Sequence, residues 1–232
     1  RTFLSLCDPA DLPSGFVQKI ERIRTDTTGA SLKLHCALSE LPDYQVAGTL
    51  SQDELSRVTL IVAPNRAYRQ ATWEAAQRGD LPDAPMFAGF MPSVYDPALA
   101  PPGNYTWSAY VVWVPARLRQ GTWAERKAEA AEMLFRNIDK YAPNFSRSMI
   151  DYRLFTPADL HERMLLTDGN IHHVDDLPAQ LLWQRPLPEL AGYRTPIGGF
   201  YLGGAGMHPG GEVNGGPGHN VAQVILGDLK IV

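Results

Sequence analysis

Apolar residues fall at Leu32, Leu34, Cys36 and Leu38 with polar or small residues between them, the alternation of a strand that buries one face. Leu41-Pro42-Asp43 stops it. A second strand is expected over residues 57–63, where β-branched side chains concentrate, and Pro64-Asn65 then opens a helix that runs through Gln77 to a stop at Gly79. Residues 86–91 and the aromatic, β-branched run 105–114 flank a Pro/Gly/Asn-rich loop and predict two further strands able to pair as a hairpin. The clearest helical period covers 123–141. There Thr122 is the expected N-cap, Ala128, Ala131, Leu134, Phe135 and Ile138 share a face, and Ala142-Pro143 ends the run. A strand over 149–155 and a helix from Pro157, capped by Thr156, follow. Ahead of all these, Phe16, Ile20 and Ile23 recur at the spacing of a short amphipathic helix.

Helices interleaved with strands in this order predict an α+β domain, a mixed sheet with helices on one face, over residues 1–165. Beyond it Gly, Pro and His dominate, and residues 166–232 read as a separate segment. Within it, 198–204 is an apolar run bounded by glycines, expected as a short strand. A glycine-rich loop and a helix from His219, with Val221, Val224, Ile225 and Leu229 on one face, come next. Strand, glycine-rich loop and helix together are the place to look for chemistry.

Composition narrows the function classes. With 44% hydrophobic and 20% charged residues the 232-residue chain can bury a real core. The net charge of -4 carries no basic field, and Lys and Arg are interspersed with acids, so nucleic acid is not an expected partner. Cys7 and Cys36 lack the spacing of a zinc site or disulfide framework and are expected reduced and buried. No apolar run is long enough to span a bilayer and no basic-then-apolar leader opens the chain, which suggests a cytoplasmic protein with peripheral membrane contact left open. The start at Arg1, inside what reads as structured sequence, suggests a fragment.

A glycine-rich loop lets backbone N–H groups approach a ligand, and the start of the following helix adds a partial positive charge, a setting for anions and electron-rich rings. It also fits a long turn needing glycine only for its backbone. The dinucleotide fingerprint GxGxxG is absent, because after Gly204-Ala205-Gly206 the third glycine position is Pro209. His172 and His173, near Asp175 and Asp176, are read as loop residues, since adjacent side chains diverge and no helical pair accompanies them. Tyr105, Trp107, Tyr110 and Trp113 are read as core or sheet surface, Lys33 as a polar-face lysine, and no serine lies in GxSxG.

The run Gly203-Gly-Ala-Gly-Met-His-Pro-Gly-Gly-Glu-Val-Asn214, within residues 193–220, resembles the carboxy-terminal flavin-binding signature of phytoene-desaturase-like FAD-dependent oxidoreductases. The segments 169–173 and 180–186 are similar to the branch of pyridine nucleotide-disulfide oxidoreductase domain-containing proteins, and 8–13 and 33–42 show a weaker likeness. The resemblance implies a substrate-binding domain over 1–165 and, over 166–232, the returning strand, loop and helix of a Rossmann-type FAD domain whose amino-terminal half lies outside this chain. It implies FAD contacts at Gly204, Ala205, Gly206, His208, Pro209, Gly210, Gly211, Glu212, Val213 and Asn214, the last helix turning its start toward the flavin, and no catalytic side chain that can be named. It also implies an apolar or unsaturated substrate giving up a hydride, and sets Lys33 near the substrate cavity. Where relatives carry an acidic residue for a ribityl hydroxyl, this chain has Ala205. Where the nearest branch often has a third glycine it has Glu212, whose carboxylate would oppose the negative charge of a reduced ring. Glycines 206 and 215 are expected to resist substitution. Two other functions share the pattern: a non-catalytic binding or assembly module, and an amine-oxidase-like flavoenzyme.

Overall fold

The computed structural model describes residues 2–46, 48–211 and 213–230. Its main elements in chain order are α1 (Phe16–Glu21), β1 (Ser31–Leu38), β2 (Leu60–Val62), α2 (Arg66–Arg78), β3 (Phe87–Phe90), β4 (Tyr105–Val112), α3 (Trp123–Asp139), β5 (Met149–Phe155), α4 (Pro157–Met164) and α5 (Gly216–Asp228). They fall into two compact units. One is continuous, residues 30–169; the other joins residues 1–29 to 170–232. The first 29 residues therefore cluster with the carboxy-terminal segment and not with the sheet that follows them.

The continuous unit is α+β, built on a five-stranded sheet in the order β2-β3-β4-β1-β5. Every pairing is antiparallel, where a mixed sheet was expected: β1 lies between β4 and β5, and β3 pairs β4 as the hairpin reading required. Alternation along β1 works as read. Leu32, Leu34 and Leu38 are fully buried on one face, and α3 lays Ala130, Ala131, Leu134 and Ile138 into the same core. Thr122 caps α3 in a reciprocal box with Glu125. Ala128, expected on the packed face, is exposed, and Phe135 is half-buried with its ring edge-on to Tyr152. Trp107 anchors the core, 4.8 Å from the Phe145 ring, with its Nε1 donating to the Tyr44 hydroxyl at 3.0 Å. Asn65 caps α2, and Thr156 caps α4 in a second box with Asp159.

The two-segment unit is held by polar side chains that bind backbone. The fully buried carboxylate of Asp175 accepts from the N–H groups of Thr27 and Thr28 at 2.7 and 3.0 Å, from the Thr28 hydroxyl at 3.1 Å and from Asn170 at 2.8 Å. Asn170 also donates to the Thr25 carbonyl at 2.9 Å, and Gln180 brackets Arg24, accepting from its N–H and donating to its carbonyl. A small apolar cluster of Leu12, Phe16, Ile20 and Leu190 backs this network. Phe200 and Leu202 pack on that cluster, which explains a further difference. The run 198–204 has no partner strand among the described residues, only an isolated bridge between Arg194 and Tyr201, so its apolar side chains serve a small core and not a sheet.

Candidate functional site

The loop before α5 borders a cleft of about 520 Å³, within the range of small-molecule sites. Gly204, Ala205, Gly210, Gly211, Val213 and Asn214 line it, joined by Gly215, Pro217 and Gly218 at the start of α5 and by Ile171 and His172. Six of the ten residues expected at the flavin thus meet in one concavity. Gly206, His208 and Pro209 stand behind it: a Cβ on Gly206 would contact His173 and Val174, the His208 carbonyl accepts from the Tyr193 hydroxyl at 2.7 Å, and Pro209 packs against Gly216. Glu212 lies outside the described residues.

Local chemistry shapes this loop. Gly204 and Gly210 have φ of +95° and +112°, values that only glycine adopts without strain. Gly206 and Gly215 do not share that need, since neither has positive φ and a Cβ on either meets nothing closer than ordinary contact. Backbone strain on substitution is therefore expected at 204 and 210, whereas at 206 and 215 the protein itself leaves room for a Cβ. Val213, fully exposed at the cleft rim, holds φ of 55°, an unusual state for a β-branched side chain. Asn214 accepts from the Gly216 N–H at 2.9 Å and donates to the Gly211 carbonyl, pinning the loop to the helix start. Gly215 at the N-cap offers no side chain, which leaves the positive end of the α5 dipole at the cleft.

Behind the loop sits a cation that residue patterns do not mark as part of a site. Arg185 is fully buried. Its Nη2 donates to the carbonyls of His172, Val174 and Ala205 at 2.8, 3.3 and 3.0 Å, and its Nη1 to Asp176 at 3.1 Å. Its Nε, without a partner among the described residues, faces Gly210, where a Cβ would stand 3.7 Å away. Burial pulls the guanidinium below its ordinary pKa, with the carboxylates of Asp176 and Asp175 opposing. One side chain thereby braces both walls of the cleft, through His172 on one and Ala205 on the other. His173 is also shifted down, by burial first and by the charges of Arg185 and His172 next. Among the described residues no group of three His, Cys, Asp or Glu side chains could hold a metal.

The continuous unit has its own pocket, about 130 Å³ and apolar, between Trp107, Phe87, Ile138 and Tyr141. Tyr44 also lines it, and burial raises that phenol to about 12.

Known proteins decide the kinship. Over 237 residues, 99% of this chain and 40% of the relative, the chain is 36% identical to pyridine nucleotide-disulfide oxidoreductase domain-containing protein 2 of Mus musculus. It is 30% identical to a lycopene-forming phytoene desaturase of Pseudescherichia vulneris over 165 residues, 70% of this chain and 32% of the relative. The chain belongs to the phytoene-desaturase-like oxidoreductase family. A second lycopene-forming phytoene desaturase, from a Paracoccus species, aligns at 32% identity over 60% of the chain and 27% of the relative. No family model matches. The chain spans about 40% of the length of the first curated relatives it matches. Among the described residues of this phytoene-desaturase-like chain, no helix is long and apolar enough to cross a membrane.

Proposed function

We propose that the chain is the carboxy-terminal part of an FAD-dependent oxidoreductase, and that the cleft at α5 receives the ribityl and ring portion of the flavin. The observation that carries this reading is the convergence of Gly204, Ala205, Gly210, Gly211, Val213 and Asn214 with an open helix start in one cleft of ligand size. The donor set fits the group. Glycine backbone lets a flat ring lie close, and the helix dipole and the charge of Arg185 favour an electron-rich edge. When bound, the flavin supplies a two-electron acceptor for a hydride from an apolar or unsaturated substrate.

The chain's own residues orient and enclose. Gly204 and Gly210 let the loop turn without side chains in the cleft, Asn214 fixes the loop to α5, and Arg185 fixes the loop to the His172 wall. Val213 on the rim offers an apolar surface against water. In this reading the two-segment unit is the returning part of a Rossmann-type flavin domain and the continuous unit holds the substrate. The pyrophosphate and adenosine contacts belong to an amino-terminal half of the protein outside this chain, in keeping with the absence of GxGxxG. Peripheral membrane contact and a cytoplasmic setting belong to the same proposal, and nucleic acid has no part in it.

The test is spectroscopic. Full-length protein containing this chain should purify yellow, and Gly210→Val should lower its flavin content several-fold while the circular dichroism of the sheet unit persists. A full-length protein that stays colourless after addition of FAD would refute the reading and favour a binding or assembly module.

A further inference from the structure

The core between α3 and the sheet does not close at the β2 edge. β2 is the outermost strand on that side, and register sets its Val62 opposite Phe87, both in the same core as Trp107 and Ile138. The apolar pocket of about 130 Å³ lies between these four side chains, with Tyr44 and Tyr141 completing its wall. Val46 and Ile61 also line it and are exposed, so the pocket reaches solvent beside them.

Hydrogen bonds hold its walls apart. The Tyr44 N–H donates to the Gln52 side-chain oxygen at 3.0 Å, and the Gln52 amide donates back to the Tyr44 carbonyl at 2.9 Å. The next residue, Gln45, donates its N–H to the Tyr141 carbonyl at 2.7 Å, and the Tyr44 hydroxyl accepts from Trp107 at 3.0 Å. Tyr44 is thus fixed at its backbone and at the tip of its ring, and cannot swing inward to fill the space. On the α3 side the fully buried Asn137 donates to the Pro85 carbonyl at 3.1 Å and to the Tyr68 hydroxyl at 3.0 Å, tying the helix to the segment that leads into β3. Close-packed interiors leave few voids of this size, and this one is framed by bonds that keep it open.

The walls choose the chemistry of a ligand. None of the described residues lining the pocket is charged, so an ion entering it would lose its hydration without a counter-ion. A cavity of about 150 Å³ with walls of this kind stays dry and accepts benzene. Four of the lining side chains are aromatic, and the Phe87 and Trp107 rings already meet edge to face with 6.2 Å between their centres, a packing that a third ring can extend. We infer that the sheet unit carries a second binding site, at the β2 edge, that takes one compact, uncharged ring of about benzene size. The inference goes beyond the proposed function, since neither flavin nor hydride transfer enters it, and the two can fail separately.

The test is methyl NMR of the full chain, labelled at Ile, Leu and Val and titrated with benzene and with benzoate. Benzene should shift the Val62 and Ile138 methyls to saturation and leave those of the exposed Leu99 and Leu229 in place, and benzoate should bind at least about tenfold more weakly. Val62→Phe, which fills the cavity, should weaken benzene by at least about tenfold, while the exposed control Leu99→Ser changes nothing. Val62→Ala, which enlarges it, should move the preference from benzene toward p-xylene by about tenfold. Equal affinity for benzoate, unsaturated shifts at Leu99 as at Val62, or full affinity in Val62→Phe would overturn the inference. So would a shift of the Val62 and Ile138 methyls with protein concentration alone, which would mark a second copy covering the opening. If Val62→Phe fails to fold, Val62→Ala carries the test, and an unchanged preference there overturns the inference.

Discussion

Replacing Arg185 with methionine should loosen the cleft from behind. Buried ion pairs are often replaceable by apolar residues at no cost, but Arg185 does more than pair with Asp176. Its Nη2 alone satisfies or shares three carbonyls, those of His172, Val174 and Ala205. Methionine fills similar space and leaves those acceptors without that donor, at about 1–3 kcal/mol for each one that water cannot reach. If two remain dry, at about 1.5–2 kcal/mol each, the local loss is about 3–4 kcal/mol. Lysine keeps the charge but cannot reproduce the planar fork, so Arg185→Lys should fall roughly midway. Hydrogen exchange read by mass spectrometry suits the question, because the Leu202 and Met207 amides donate to the Tyr193 and Gly204 carbonyls within the affected region. At about 1.4 kcal/mol per tenfold, Arg185→Met should speed their exchange roughly a hundred- to a thousand-fold, with the β1 amides as an internal standard. A change under threefold, or an equal change in β1, would refute the bracing role.

Three further outcomes follow from the same geometry. Gly210→Ala should lower the stability of the two-segment unit by about 1–3 kcal/mol, because alanine is strained at that φ, whereas Gly206→Ala should leave the thermal midpoint nearly unchanged. Burial, aided by the Asp151 carboxylate, raises the Cys36 thiol to about 12. The unfolded thiol loses its proton near pH 9 and the folded one does not, so this contribution is complete below about pH 9 and declines toward about pH 12, by up to about 1.4 kcal/mol per pH unit. Cys36→Val should therefore flatten the fall of the urea midpoint between pH 9 and 11, and iodoacetamide at pH 8 should modify the part-exposed Cys7 well before Cys36. Finally, the proposed function puts the nucleotide contacts in an amino-terminal half outside this chain, so the chain by itself should not retain FAD through desalting; stoichiometric flavin released on denaturation would contradict that.

The elements that residue patterns revealed are those with one buried stripe. β1 alternates without interruption and α3 has a capping box ahead of a 3.6-residue period, so both stand where they were expected. Strand direction was not legible, because periodicity marks a face and says nothing of a neighbour's polarity. Nor was the clustering of residues 1–29 with 170–232. It depends on Asp175, Asn170 and Gln180 binding the backbone of 24–28, and single polar residues reaching main chain leave no period behind. The cleft was legible through glycine density, except for its second wall. His172 reads as a loop histidine until Arg185 is seen holding its carbonyl, and the family likeness of 169–173 and 180–186 was the available signal.

The joining of distant segments has a consequence during synthesis. Ile171 donates its N–H to the Gly29 carbonyl, so the chain leaves the two-segment unit and re-enters it at neighbouring points. On the ribosome the first 29 residues emerge without the partners that satisfy Thr27 and Thr28, and must wait while the sheet unit is made. At about 5–20 residues per second that wait is of the order of ten seconds. The sheet unit, continuous in sequence, can fold in that interval, and the cleft is assembled last. A nascent chain stalled before residue 170 should thus present Phe16 and Ile20 uncovered by Leu190, an apolar surface of the kind that chaperones recognise.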